Sequence, residues 1–260
     1  MRNVIYGSPA MQFFVDLGAE VLGYEKALGS YVGDCDLAYI VGLYDPPLYG
    51  QTLGNTQRAK RRLIHWCGSD VSMLSDASVL PGDAIHICDS DGLREELWRK
   101  GVEATTVMWP TRHHFEVTPL PEKPVVACYL GSNPLKYGTG VLQALGEAMP
   151  DVEIIGYMFG QYDSVQMAQL VADSSLYVRL TEHDGSAASA REFMEAGRRA
   201  LVTHDLEYSV RVKRDDLPGL IRAVRTALSE SEPDWDAAAY WSAQNSEERY
   251  LAQVEGVLNA

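Results

Sequence analysis

Short apolar runs alternate along the chain with stretches in which apolar positions recur at helical spacing. An apolar run of about four to eight residues bounded by turn residues is typical of a buried strand, whereas recurrence at i, i+3, i+4 and i+7 is typical of a helix. Strands are predicted at Asn3–Tyr6, Leu37–Val41, Arg62–His65, Ala84–Cys88, Thr105–Met108, Val125–Tyr129, Val152–Ile155, Ser175–Arg179 and Ala200–Thr203. Helices are predicted between them, including Met11–Leu22, Gly92–Lys100, Gly138–Ala148, Val165–Ala172 and Ser189–Ala196. This alternation indicates an α/β fold, with parallel strands covered by helices.

Prolines cluster around a polar run in the middle of the chain, at Pro110, Pro119, Pro121 and Pro124. Because proline fixes φ and favours an extended conformation in the residue before it, this stretch is predicted to be a stiff crossing between two domains. The predicted parts are an N-terminal domain at 1–112, the crossing segment at 113–124, a C-terminal domain at 125–232 and a terminal helix at 233–260. The last helical pattern runs from Trp235 to Leu258, and packing across both domains is one way to bury its apolar stripe.

The composition is that of a folded, acidic protein. Of 260 residues, 46% are apolar, and 36 acidic against 22 basic side chains give a formal charge of −14. These values exclude disordered and collagen-like chains and argue against a protein held on DNA mainly by phosphate contacts. The four cysteines lack metal-ligand spacing, and no apolar run has the length of a signal peptide core or a membrane span. We therefore expect a cytoplasmic protein with reduced thiols.

The segment 181–197 lies between two predicted strands and has the composition of a ligand-binding turn. Asp184-Gly185-Ser186 supplies the turn, in which glycine lets a ligand approach the backbone. Small residues from Ala187 onwards leave the amides at the start of the next helix open, which favours a bound anion. Glu192 lies farther along that helix, so two carboxylates could grip the hydroxyls of sugars on either side of the anion. The alternative is an ordinary strand–turn–helix with exposed acids.

This segment resembles the donor-site signature of the retaining GT-B glycosyltransferases of family 4, in which E-G-F-G is followed by E-A-M-A-x-G and a Val-rich strand. Asp184-Gly185 stands at the position of the first Glu-Gly, Glu192–Gly197 at that of E-A-M-A-x-G, and Ala200–Thr203 at that of the strand. The resemblance implies that Glu192 binds the nucleotide ribose and that Asp184 holds donor-sugar hydroxyls. It also implies that the backbone after Gly185, at Ser186 and Ala187, cradles the diphosphate. Asp184 is one methylene shorter than the family glutamate, a departure that bears on donor choice.

A second match opens the C-terminal domain, where Gly131–Gly138 resembles the family loop G-R-x-x-x-x-K-G. Gly131 matches the first glycine, Ser132 replaces the arginine, and Lys136 matches the lysine. The resemblance implies that Lys136 stabilises charge on the departing diphosphate. The alternative is a solvated lysine in a turn.

A third match lies in the N-terminal domain, where His65, Gly68 and Asp70 resemble the H-x-x-G-S-D-V loops of these enzymes. The resemblance implies that His65 contacts the donor sugar or the acceptor, whereas Asp70 could instead cap the next helix. Ser8, in the turn after the first strand, is a further acceptor-side candidate. This domain is short for the family, and the stretch 155–175 is compressed, so the resemblance is to a compact or truncated member.

The resemblance implies two Rossmann-like, doubly wound domains facing a cleft, and transfer of a sugar from a nucleotide-diphosphate-sugar such as a UDP- or GDP-sugar to an acceptor hydroxyl. It implies retention of anomeric configuration, no metal and no further cofactor, with Lys136, Asp184 and His65 as catalytic residues. The acceptor class stays open among glycan, protein, lipid and modified base, with no stable nucleic-acid binding and at most peripheral membrane contact expected. The alternatives are a non-catalytic sugar-nucleotide or glycan-binding module, a GT-B epimerase or inverting transferase, and a transferase acting on modified DNA bases.

Overall fold

The computed structural model describes residues 1–44, 46–111, 113–131, 133, 135–158, 160–181, 185 and 187–260. The chain divides into two units, one formed by Met1–Pro110 with Glu247–Ala260 and the other by Thr111–Ser246. Each unit contains its own sheet, and every paired strand in both sheets runs parallel to its neighbour. The predicted α/β class is therefore confirmed.

The first unit has a six-stranded sheet and the second a five-stranded one. The first six strands are β1 (Asn3–Gly7), β2 (Glu25–Leu28), β3 (Cys35–Val41), β4 (Ala59–Trp66), β5 (Ile85–Cys88) and β6 (Thr105–Thr106). The second unit contributes β7 (Val125–Gly131), β8 (Glu153–Met158), β9 (Leu176–Arg179), β10 (Arg199–Val202) and β11 (Val210–Arg211).

The helices of the described chain lie between these strands and after the last one. In chain order they are α1 (Gln12–Leu22), α2 (Pro46–Asn55), α3 (Ser69–Met73), α4 (Asp91–Arg99), α5 (Thr139–Ala148), α6 (Ser164–Ala172), α7 (Ala188–Glu195), α8 (Leu217–Leu228), α9 (Trp235–Gln244) and α10 (Glu247–Asn259). No helix among the described residues combines the length and the apolar character that crossing a membrane requires.

In both sheets the chain places its second strand on one side of the first strand and the later strands on the other side. The strand order is β2-β1-β3-β4-β5-β6 in the first unit and β11-β10-β9-β7-β8 in the second. After β8 the chain returns across β7 and adds β9 on its other side, so the switch point of the second sheet lies between β7 and β9. Open parallel sheets bind ligands in the crevice beyond the carboxyl ends of the strands at such a point.

The central strands β3, β7 and β9 are mostly apolar because both faces of each sheet are covered. In the second unit, Val126 and Val178 belong to a core with Leu142 of α5, on one face of the sheet. On the other face, Tyr177 of β9 stacks on Phe193 of α7 with ring centroids 4.4 Å apart. The helices that follow β7 and β9 therefore cover opposite faces, as a doubly wound sheet requires.

The single terminal helix predicted from Trp235 to Leu258 is instead two helices. Helix α9 ends at Gln244 with Asn245 as its C-cap, and α10 begins at Glu247. The first of them belongs to the second unit and the other to the first unit. There α10 buries Tyr250 and Val254 in the core of its own unit.

Candidate functional site

The loops after β7 and β9 carry most of the predicted donor-site residues. Gly131 is the last residue of β7 and Arg179 is the last residue of β9, so both loops leave the sheet at its switch point. Gly185 and Ala187 are buried in the second loop. The predicted contacts of Ser132, Asp184 and Ser186 lie outside the described residues and stay predictions.

The loop after β7 is shaped by one glycine and one tyrosine. Gly131 has φ +60°, and a Cβ at this position would collide with the ring of Tyr137. Glycine is therefore required both by the left-handed backbone and by the close approach of the ring. Arg214 braces the same loop, because its Nη2 donates to the carbonyl oxygen of Leu135 (2.9 Å) and its Nη1 to that of Lys136 (3.3 Å).

Lys136 is held near this ring at the rim of the switch point. Its side chain is half-buried, and its Nζ lies 5.9 Å from the ring centroid of Tyr137. The predicted lysine thus lies in the loop beyond the carboxyl end of β7. Its predicted action on a departing diphosphate stays a prediction.

Arg179 is a cation of this site that the sequence patterns did not identify. Its guanidinium Cζ lies 4.5 Å from the ring centroid of Tyr129 and 5.1 Å from that of Tyr137. Its Nη1 donates to Ser189 Oγ at 3.2 Å. The only sequence signal was a charged residue at the carboxyl end of a strand whose other residues are Leu, Tyr and Val.

Helix α7 starts without a side-chain cap. Its N-cap Ala187 has φ 45° and ψ 50°, in the left-handed region, and it has no side chain able to accept a hydrogen bond. The helix begins with the bond from the Ala190 amide to the Ala187 carbonyl at 2.8 Å. Among the residues the structure describes, no N-cap side chain is bonded to the first-turn amides, and such amides favour a negatively charged group beside them.

Glu192 lies on α7 and is nearly buried, with 9% of its surface exposed. None of the hydrogen bonds among the described residues involves its carboxylate, and Tyr157 of β8 lies within its electrostatic reach. Burial raises the pKa of Glu192 to about 8, and neighbouring Glu195 adds to the rise while Arg191 opposes it. Keeping a buried carboxylate ionised is costly when none of the described residues donates a hydrogen bond to it. Carboxylates with such raised pKa values are often found at functional sites.

The other charged residues of α7 are bonded to each other through an asparagine. Arg191 Nη1 donates to Asn245 Oδ1, and Asn245 Nδ2 donates to Glu195 Oε2, both at 2.8 Å. The other oxygen of Glu195 lies 2.9 Å from Nδ1 of His114. Because these groups are mostly buried, this network fixes α7 against α9 within the second unit.

The predicted acceptor-side histidine lies in the core of the first unit. His65 has no exposed surface, and its ring stacks on Trp109 with centroids 4.6 Å apart. Its Nδ1 lies 2.6 Å from Tyr39 Oη, and its Nε2 lies 2.8 Å from Asp89 Oδ1. Both ring nitrogens therefore have protein partners, and the predicted contact of His65 with a sugar stays a prediction.

Asp70 is also buried, and it braces the loop around it. Its carboxylate accepts hydrogen bonds from the backbone amides of Gly68 (2.8 Å), Val71 (3.0 Å) and Leu43 (3.3 Å). Burial nevertheless raises the pKa of Asp70 to about 6. Gly68 has φ +142°, and Ser8 is half-buried beyond the end of β1.

Among the residues that the structure describes, no group of three or more His, Cys, Asp and Glu side chains is placed so that it could hold a metal ion.

No protein-family model matches the chain, and no curated protein matches it by sequence. Solved structures do match. Sucrose-phosphate synthase from Thermosynechococcus elongatus superposes with a TM-score of 0.77 at 11% identity, over 100% of this chain and 98% of that one. The lipopolysaccharide outer core galactosyltransferase WaaB gives 0.67 at 10% identity, over 99% of each chain. TarM from S. aureus, solved with UDP, gives 0.60 at 12% identity, and this chain spans 55% of its length. The fold is therefore of the GT-B type.

Proposed function

We propose that this chain is a glycosyltransferase that binds a nucleotide-diphosphate-sugar in its second unit and transfers the sugar to an acceptor hydroxyl. The observation that carries the proposal is a grouping at one switch point of a GT-B fold. There the N-terminus of α7, whose N-cap residue makes no side-chain cap bond, and the half-buried Lys136 lie beyond the carboxyl ends of two adjacent strands, and farther along α7 lies the buried Glu192, which has no hydrogen-bond donor among the described residues. The first two suit a diphosphate, and the third suits the hydroxyls of a ribose.

In the proposed reaction the acceptor hydroxyl attacks the anomeric carbon on the face from which the diphosphate departs. The bond from that carbon to the phosphate oxygen breaks, and the departing oxygen takes the hydroxyl proton, so the anomeric configuration is retained. Lys136 and the first-turn amides of α7 stabilise the charge that develops on the diphosphate. Asp184 is proposed to contact the sugar, and no metal is required.

Uridine nucleotides are the first donors to test. TarM has been solved with UDP, and the pneumococcal O-GlcNAc transferase GtfA has been solved with UDP and GlcNAc. At such low identity these neighbours show the fold alone, so the choice of UDP-sugars over GDP-, ADP- and dTDP-sugars is part of the proposal.

A nucleotide-sugar panel tests the donor site by thermal shift and calorimetry. The parent is expected to gain thermal stability from at least one nucleotide-sugar, because a ligand that binds only the folded state stabilises it. Lys136→Ala and Glu192→Ala are expected to lose that gain, since each removes a side chain that the proposal assigns to the donor. Lys213→Ala removes an exposed lysine of the same unit and is the control that keeps the gain.

The panel also separates the proposal from its alternatives. If both variants gained as much stability as the parent from every active donor, the donor site would lie elsewhere. Donor binding without turnover in the presence of acceptor pools would instead favour a binding module. The anomer of the product separates a retaining from an inverting transferase.

A further inference from the structure

Two cations, not one, approach the switch point of the second unit. The Nζ of Lys136 and the guanidinium of Arg179 lie against the same tyrosine ring, at 5.9 Å and 5.1 Å from the centroid of Tyr137. One comes from the loop after β7 and the other from the end of β9, so they converge from the two strands that border the switch point.

We propose that Arg179 is the second cation of the diphosphate site and contacts the phosphate distal to the nucleoside. This inference rests on the proposed function, because it assumes that the switch point holds a nucleoside diphosphate. It assigns to this strand-end arginine the charge that Ser132 cannot supply from the loop after β7. Lys136 then serves the same diphosphate from the opposite strand.

The orientation of Arg179 is fixed before any ligand binds. The rings of Tyr129 and Tyr137 both lie against its guanidinium. Its Nη1 donates to Ser189 Oγ, which lies 2.6 Å from Tyr177 Oη. A planar guanidinium held in this way loses little further freedom when an oxyanion binds.

The hydrogen bond to Ser189 also places the guanidinium beside the first turn of α7. Ser189 is the second residue of that helix, and the N-cap residue Ala187 makes no side-chain cap bond. Arg179 and the helix N-terminus therefore present positive charge to the same space. Only 7% of Arg179 is exposed, and charges interact more strongly in such a low-dielectric setting than in water.

The test compares ligands that differ by one phosphate. Calorimetry with UMP, UDP and inorganic pyrophosphate, and with the GMP/GDP, AMP/ADP and dTMP/dTDP pairs, is carried out on the parent, Arg179→Met and Arg179→Lys. In Arg179→Met the affinity for the diphosphate and for pyrophosphate is expected to fall about tenfold to a hundredfold, as for a lost hydrogen bond to a charged group. The affinity for the monophosphate is expected to change by less than about threefold, and Arg179→Lys is expected to recover part of the loss.

Arg211→Met is the matched control, because Arg211 is an exposed arginine on β11 that pairs with Asp205 at 2.7 Å. It is expected to leave all these affinities unchanged. If Arg179→Met weakened the mono- and diphosphate by the same factor, Arg179 would only support the fold of the site and the proposal would be overturned. The proposal is also overturned if Arg179→Met changes neither affinity.

The failure of this inference can be told apart from the failure of the proposed function. If pyrophosphate binds with the expected dependence on Arg179 but no nucleoside diphosphate does, the anion site stands and the nucleotide-sugar donor fails. If nucleoside diphosphates bind and their preference over monophosphates survives Arg179→Met, the donor site stands and the role of Arg179 fails. If the parent binds neither pyrophosphate nor any nucleoside diphosphate, both fail.

Discussion

Replacing Glu192 by glutamine is expected to make the protein more stable and a poorer binder of its donor. The glutamine side chain has nearly the same shape but cannot carry the charge that burial penalises. In the parent, burial raises the pKa of Glu192 from 4.5 to about 8. Retaining such a group is understandable only if a ligand supplies the hydrogen bonds that the described protein residues do not.

The size and sign of the effect follow from proton linkage. The folded state holds the Glu192 proton more tightly than the unfolded state, so this stabilising contribution is complete below about pH 4.5 and is lost as the pH rises towards about 8. With about 1.4 kcal/mol for each pKa unit, the shift amounts to a ceiling of about 5 kcal/mol in the free energy of unfolding. Between pH 5 and pH 8, Glu192→Gln is expected to gain about 3 kcal/mol over the parent.

Urea unfolding at a series of pH values, monitored by a signal from the second unit, measures this difference in the free energy of unfolding. Asp70, whose pKa burial raises to about 6, also titrates in this range, but it contributes equally to parent and variant and cancels in the difference. Glu153→Gln is the matched control, because Glu153 is exposed at the start of β8. Its difference from the parent is expected to stay constant with pH.

The result that refutes this reasoning is a parallel loss of stability. If parent and Glu192→Gln lost the same free energy of unfolding from pH 5 to pH 8, burial of the Glu192 carboxylate would not be what lowers the stability.

A second measurement uses proton release on ligand binding. Ribose hydroxyls that donate to the carboxylate favour its ionised form, so nucleotide binding near pH 7 is expected to release protons in the parent and not in the variant. Equal proton release by both would remove Glu192 from the ribose contact.

Two further changes test the buried networks. Asn245→Ala is expected to lower the free energy of unfolding of the second unit by about 2–3 kcal/mol, because it removes the amide that joins Arg191 to Glu195; a urea midpoint unchanged from the parent would contradict this. Tyr250→Phe is expected to cost the first unit about 1 kcal/mol, because it removes the hydrogen bond to Tyr39 at 2.6 Å while leaving the ring in place. A loss above about 3 kcal/mol by the same measurement would mean that the hydroxyl does more than donate or accept one bond.

The strands of both cores could be predicted from the sequence, because a strand covered on two faces must be apolar throughout. Edge strands β2 and β11 could not. Glu25 and Lys26 of β2 are exposed, and so are both residues of β11. Such short exposed segments become strands only because a neighbouring strand offers free backbone groups.

The loops of the site could be predicted and the contacts across strands could not. Gly131 and Gly185 follow strands in the sequence, so their place at the carboxyl edge follows from the chain direction alone. Arg179 lies beside Tyr129 only because β9 pairs with β7, which precedes it by a whole strand and two helices. No local pattern encodes which strands become neighbours, so an arginine between Val178 and Leu180 gave no indication of its partners.

The motif around His65 shows that a sequence pattern predicts where a residue lies along a strand but does not predict its burial. Its place at the carboxyl end of a strand was predicted, but its burial depends on rings and acids from separate segments, including Asp89, Trp109 and Tyr39. A motif fixes the backbone position of a side chain. It does not fix how much of that side chain the rest of the chain covers.

Net charge is a poor guide to what the second unit binds. After residue 112 the chain has 22 acidic and 12 basic residues, yet the candidate site is proposed to bind an anion. Charges in water are screened beyond about 8–10 Å at physiological salt, whereas buried charges are screened much less. Arg179 is 7% exposed and directed at the switch point, while the exposed Asp205 and Glu230 pair with Arg211 and Arg199 at the surface. The overall acidity of the unit therefore does not argue against a local anion site, because nearby buried charges act on a ligand more strongly than distant exposed ones.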